Sequence, residues 1–226
     1  CGTPVRRHAK PKVSGKHAKT TPVESDEFNT RQLGLQWEWH ANYQDLYGFT
    51  SDLGYMRLYG HVLSEEFVNF WEVPNLLLQK FPAETFTATT KLKVSAKAEA
   101  PVSVADSARA AVKEGEGFVL RQVICKDAEQ GGSEEVKHIA TLPATRTYGA
   151  GLRANYELDI YLRVEVSKGG ICRFSYSTDG KRYTRTDIVF TAREGKWIGA
   201  KVGLFSTAPH DKQRGWVDID WFRITK

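Results

Sequence analysis

GYMRLYGHVLSEEFVNFWEVPNLLLQKFP, residues 54–82, is the stretch that decides how this chain folds. Two strand-like runs lie inside it, Tyr55–Tyr59 and Leu76–Lys80. In the first, Met56 and Leu58 alternate with Arg57 and Tyr59, the period-2 pattern of a half-buried strand. The connection between the runs is acidic and aromatic and includes Phe67, Phe70 and Trp71. It is too long for a tight hairpin, and long connections on a strand scaffold are where function concentrates.

The same reading extends in both directions. In LGLQWEWHANY (Leu33–Tyr43), Leu33, Leu35, Trp37 and Trp39 share one parity, while Gln36, Glu38 and His40 share the other. Two tryptophans on one strand face have two readings. They are core, because indoles are highly buried on average, or they are a platform for the flat apolar face of a sugar ring. Tyr43, Tyr47 and Phe49 continue the aromatic density into a loop. Further strands are expected at Thr85–Val94, Gly117–Cys125, Tyr156–Val166, Lys201–Phe205 and Trp216–Ile224. In Tyr156–Val166 the apolar residues Leu158, Ile160, Leu162, Val164 and Val166 face inward. Arg173–Thr186 reads as a hairpin around Thr-Asp-Gly-Lys, and Lys126–Ile139 as a polar loop with a Gly-Gly turn. No sustained amphipathic helix and no internal repeat interrupts this pattern. About ten short strands with turn punctuation predict an all-β antiparallel sandwich.

Bulk properties remove several classes. The chain has 226 residues, 41% hydrophobic and 26% charged, which suits a globular core and argues against disorder. No apolar run is long enough for a bilayer-spanning helix, so no membrane partner is expected. The net charge of +5 is concentrated at one end. Residues 1–20 hold six of the 32 Lys and Arg and no acid, leaving 26 basic against 27 acidic residues elsewhere. A basic tail can touch nucleic acid, but no nucleic-acid-reading motif follows it, and a solvated linker is the reading we adopt. Three cysteines (Cys1, Cys125, Cys172) do not make a disulfide framework. Cys125 and Cys172 lie in apolar runs that suit buried free thiols.

Catalytic signatures are missing. Glycoside hydrolysis uses two carboxylates facing each other across the scissile bond. Glu157 and Asp159 begin such a pattern, but Tyr161 and Leu162 stand where its last acid belongs, and Glu165 is too far along. The six histidines show neither HxxxH nor HxH spacing, which argues against a catalytic zinc. The chain alone therefore reads as no enzyme.

Three stretches in matching order carry a family resemblance: SDEFN (Ser25–Asn29), the opening stretch at residues 54–82, and GAKVGLFSTAPHDKQRGWVDIDWFRI (Gly199–Ile224). Together they resemble the C-terminal domain attached to β-xylosidases of glycoside hydrolase family 43. The resemblance implies a concanavalin-like sandwich, or jelly roll, over residues 25–226. Residues 1–24 would then be a linker or strap from an upstream catalytic propeller, with Gly2-Thr3-Pro4-Val5 as its remnant. In that family the catalytic acids lie on the propeller. The accessory domain has been classed as xylan-binding, and in some members it packs on the propeller. A secreted or periplasmic protein is implied, with a cytoplasmic one also open.

The resemblance has one departure. Relatives carry an apolar strand where this chain has APVSVADSARAAV (Ala100–Val112), read here as a weakened strand. SDEFN, GYMRL and DWFRI also resemble the order of elements at the calcium site of jelly-roll lichenases. That implies a structural calcium held by the carbonyls of Glu27 and Gly54 and the carboxylate of Asp220. For the sugar, Trp71 is the expected platform, with Glu72, Asn75 and Gln79 as polar neighbours and Tyr43 and Tyr47 as walls.

Overall fold

The computed structural model describes residues 7–10, 12–16, 18, 20–50, 52–97, 103–104, 112–114, 117–148, 154–195, 199–208 and 215–226. Its strands in chain order are β1 (Glu38–Trp39), β2 (Gly48–Thr50), β3 (Met56–Tyr59), β4 (His61–Val62), β5 (Leu77–Lys80) and β6 (Phe86–Lys97). Then come β7 (Ser103–Val104), β8 (Val112–Glu114), β9 (Gly117–Cys125), β10 (Glu134–Pro143), β11 (Thr145–Tyr148) and β12 (Ala154–Ser167). The last are β13 (Ile171–Ser177), β14 (Thr184–Thr191), β15 (Lys201–Leu204), β16 (Ser206–Ala208) and β17 (Trp216–Thr225). The expected all-β class is what forms; the helical content among the described residues is two 3-10 turns, Phe70–Glu72 and Ala128–Gln130.

One layer is an eight-stranded sheet ordered β14-β13-β12-β6-β17-β3-β2, with β11 paired to β12. The strands β1-β5-β15 and β10-β9-β8 form two smaller sheets across the core. A third small sheet, β4-β16-β7, contains a parallel pair between β4 and β16. Strand alternation builds the core between the layers. In β6, Phe86, Ala88, Leu92 and Val94 are buried, and β12 contributes Leu158, Ile160, Val164 and Val166. Across from them, Leu77, Phe118, Leu120, Val202 and Leu204 complete the cluster.

The two ends of the fold meet on the last strand. The backbones of Asp26 and Phe222 exchange both hydrogen bonds at 2.8 Å. The Asp26 carboxylate accepts from the Phe28 amide (2.8 Å) and from Trp37 Nε1 (2.9 Å), which brings Trp37 onto Phe28 and Phe222. Within β17 the register slips between Ile219 and Trp221. Such a bulge re-aims side chains: Ile219 and Phe222 both bury, while Asp220 and Trp221 stay part-exposed.

Four expectations change in detail. Leu33–Tyr43 is mostly turn, with β1 its one short strand; Leu35 is fully exposed although it shares parity with buried Trp37. The turn closed by the Trp37 amide on the Gly34 carbonyl (3.1 Å) resets the alternation. The 126–139 segment is loop only in its first half, and β10 starts at Glu134. The 173–186 hairpin has a longer loop than a two-residue turn, because Asp179 Oδ1 accepts from the amides of Lys181 (2.8 Å) and Arg182 (2.9 Å). Of residues 100–112, positions 103–104 and 112 are strand, as β7 and the start of β8; the rest lie outside the described residues.

Because Leu92 is fully buried at the centre of the large sheet, Leu92→Ala should lower the unfolding free energy by about 2–5 kcal/mol. Leu35→Ala, at an exposed site, should change it by less than about 0.5 kcal/mol. Urea denaturation of both variants checks the layer assignment.

Candidate functional site

The long connection after β4 is shaped by one buried asparagine. Asn69 caps the Phe70–Glu72 turn, its Oδ1 accepting from the Trp71 amide at 2.9 Å. Its Nδ2 donates to the carbonyls of Ala128 (3.1 Å) and Gly132 (2.8 Å), pinning the connection to the loop before β10. Phe70 packs on Phe205 with centroids 4.6 Å apart, and Val73 is fully buried. Two neighbours fixed inward leave Trp71 and Glu72 pointing outward. Trp71 is 56% exposed, the one exposed tryptophan among the described residues. Glu72 is also exposed, and its Oε2 accepts from the Val68 amide at 3.2 Å.

Pairing of β1 with β5 brings a second segment alongside. The amides of His40 and Ala41 donate to the carbonyls of Leu76 and Pro74. The His40 ring stands edge-on to Trp71 at 5.7 Å and contacts the Trp71 carbonyl through Nε2 at 3.2 Å. Tyr43, half exposed, lies 5.6 Å from Trp39 and donates its hydroxyl to the Gly48 carbonyl at 3.1 Å. Burial, with a smaller contribution from Asp45, pushes the Tyr43 phenol above its ordinary pKa, so it stays a neutral donor at neutral pH. Trp71, Glu72 and His40 thus form an amphipathic rim, and Tyr43 lies three residues beyond His40 on the same segment.

Three of the expected contact residues lie under this rim rather than on it. Tyr47 is 2% exposed and packed by Trp39 and His61. Asn75 is fully buried and donates to the Ser206 carbonyl at 2.7 Å. Gln79 is buried and donates to the Glu24 carbonyl at 3.1 Å. The parity of β5, with Leu77 and Gln79 both turned in, carries Gln79 inside. These residues support the rim and cannot touch a ligand there. His40 was missed by sequence reasoning, because its place beside Trp71 follows from strand pairing and not from spacing.

Of the groups expected to hold calcium, two are backbone carbonyls, and the one side chain, the Asp220 carboxylate, is already in an ion pair. Lys91 Nζ lies 2.6 Å from Asp220 Oδ2, so an ammonium already neutralises that carboxylate. The Glu27 side chain, distinct from its expected carbonyl ligand, forms a two-pronged pair with Arg223 at 2.7 and 2.8 Å, which lowers its carboxyl pKa, and the neighbouring Asp26 carboxylate is held by the donors around Trp37. Gly54, at φ +82°, sits against the Asn29 side chain. No group of three or more His, Cys, Asp or Glu suited to a metal occurs among the described residues. On β12, Glu165 is paired with Arg185 at 2.8 Å, so it does not complete an acid pair with Glu157 or Asp159.

The architecture defines a concanavalin-type sandwich. Residues 25–225 match the family described as the β-xylosidase C-terminal concanavalin A-like domain of glycoside hydrolase family 43, and the chain belongs to that family. It is 30% identical over 240 residues to a β-xylosidase of Formosa agariphila, aligning 98% of this chain with 38% of that protein. A bifunctional GH43-CE protein of Bacteroides eggerthii shares the fold, with TM-score 0.62 and 20% identity over 89% of this chain and 25% of the other. A family 43 protein of Bacillus licheniformis does so with TM-score 0.59 and 19% identity, over 88% and 38%. The chain therefore spans well under half the length of these relatives.

With Asp220 held by Lys91, the melting temperature should be the same in chelator and in millimolar Ca²⁺. A Ca²⁺-dependent rise, abolished by Asp220→Ala, would contradict this placement, since a ligand bound by the native state alone stabilises it.

Proposed function

We propose that this chain is the accessory sandwich of a xylan-degrading family 43 glycosidase, of β-xylosidase or α-L-arabinofuranosidase type, in a secreted or periplasmic enzyme. Catalysis is assigned to an upstream propeller, and the sandwich holds xylan or xylo-oligosaccharide along the rim of Trp71. One observation carries this reading: an exposed indole fixed in place by buried Asn69 and Val73 on either side of the turn and by Phe70 packed on Phe205. A pre-ordered aromatic face loses little entropy on meeting a sugar, and Glu72, His40 and Tyr43 supply the few polar groups that fix orientation. Family membership and the kinship to a named β-xylosidase support the substrate class.

A second reading rests on a different feature. Tyr43, Leu46, Phe49, Leu53, Val68 and Trp71 are all exposed, and all fall in one short span of sequence. Exposed apolar residues gathered in this way mark docking surfaces, and the partner would be the propeller. In that case the isolated chain would bind no sugar, and joining it to its upstream domain would cover Trp71.

Affinity electrophoresis in arabinoxylan gels separates the two. The isolated chain should be retarded, and Trp71→Ala should weaken binding by roughly 1–3 kcal/mol with the melting temperature nearly unchanged. No retardation of the wild-type chain would favour the docking reading. Unfolding by Trp71→Ala with binding retained would place the site elsewhere.

A further inference from the structure

The outer face of the large sheet carries a trough that the rim of Trp71 does not use. Strand β6 runs between β12 and β17, and the registers set their residues in rows. These rows are Tyr161–Lys91–Trp221, Arg163–Thr89–Arg223 and Glu165–Thr87–Thr225. Cross-strand neighbours on one face lie within side-chain reach of each other. In two of the rows a short threonine sits between longer residues or at the floor, and the result is a groove of about 450 Å³. The first row closes one end. Lys91 is held by Asp220, and the Tyr161 and Trp221 rings lie 6.1 Å apart. Trp221 reaches this face because of the bulge before it.

The loop after β13 forms another wall. Gly180, at φ +71°, brings the loop so close that a Cβ there would lie 2.8 Å from the Tyr161 ring. Tyr183 follows from the same loop, and the Arg163 guanidinium lies 3.6 Å from its ring centroid. Arg163 Nε donates to Thr89 Oγ1 at 3.1 Å, so the guanidinium is oriented by one edge and by its face.

Charge around the trough is unbalanced. Glu165 pairs with Arg185, and Glu27 with Arg223. Arg163 and Arg173 donate to the hydroxyls of Thr89 and Ser167 and have no carboxylate partner among the described residues. With its Nε on Thr89 and its face on Tyr183, the Arg163 guanidinium has its Nη1–Nη2 edge left for a ligand, and such an edge matches a carboxylate in two-pronged geometry. Aromatic walls, threonine hydroxyls and a pre-oriented, unneutralised arginine together describe a site for an acidic sugar.

We propose that this trough binds an acidic glycan, with the carboxylate of a uronic acid unit on Arg163 and its ring against Tyr183 and Trp221. The proposal rests on the glycan-binding reading of the domain but not on Trp71, which lies in a different part of the fold.

The test is affinity electrophoresis of the chain at physiological salt in three gels: glucuronoxylan, the same polymer after carboxyl reduction, and neutral arabinoxylan. Native glucuronoxylan should bind roughly tenfold more tightly than its reduced form, the scale of a charge-assisted two-pronged contact. Arg163→Gln should remove that difference and leave retention on arabinoxylan unchanged. Thr87→Glu, at a part-exposed position, should remove it as well by placing a carboxylate in the groove. Equal retardation by native and reduced polymer would overturn the proposal. So would survival of the difference in both variants, or equally strong binding of dextran sulfate, which would mark a bare field of charge. Acid preference without any binding of neutral arabinoxylan would uphold the trough and overturn the Trp71 rim.

Discussion

Everything in this fold depends on the hold between Asp26 and the last strand. Its backbone trades two hydrogen bonds with Phe222, and its carboxylate gathers the Phe28 amide and the Trp37 indole N–H. That one residue ties the entry segment to β17 and seats the Trp37 ring between Phe28 and Phe222. An indole N–H buried without an acceptor costs about 1–3 kcal/mol, so the carboxylate is part of the core's design although it is charged. The neighbouring pairs, Glu27 with Arg223 and Glu24 with Lys226, extend the same seam along the surface. As exposed pairs they contribute little each, and they act mainly on alignment.

Alignment matters because β17 and β6 share two faces with opposite duties. The inward residues of β6 fill the core, and its outward residues, Thr87 to Lys91, run between the arginines and aromatic rings of β12 and β17. A one-residue slip would exchange the two sets. The bulge at Asp220 makes a controlled exception, since it adds one outward residue and presents Trp221 without disturbing Phe222. At the other end of the chain's long connection the same economy holds. Asn69 is fully committed to backbone partners, so the turn it caps can hold Trp71 in solvent.

Sequence alone carried the strands a long way. Gly117–Cys125 was legible to the residue because it is a short, largely apolar run, buried on both faces, and the period-2 alternation of Tyr156–Val166 gave the buried face of β12. It carried the site less well. Trp71 and Glu72 were legible as solvent-facing from their acidic, turn-rich surroundings, whereas Asn75 and Gln79, a few residues on, are buried. Polar side chains that satisfy distant carbonyls, here those of Ser206 and Glu24, look the same in sequence as polar side chains awaiting a ligand. His40 beside Trp71, Lys91 on Asp220 and Arg163 over Tyr183 all arise from strand pairing across long sequence gaps, which no local pattern encodes.

The most direct test of the central claim is to watch the Trp71 indole while sugar is added. In a ¹H–¹⁵N titration of the isolated chain with xylohexaose, the account predicts saturable shifts of the Trp71 Nε1–H and of the amides around His40 and Tyr43. The Trp37 Nε1–H, locked on Asp26, should stay in place. Saturable shifts elsewhere with Trp71 unmoved, or no shifts at any concentration, would contradict it.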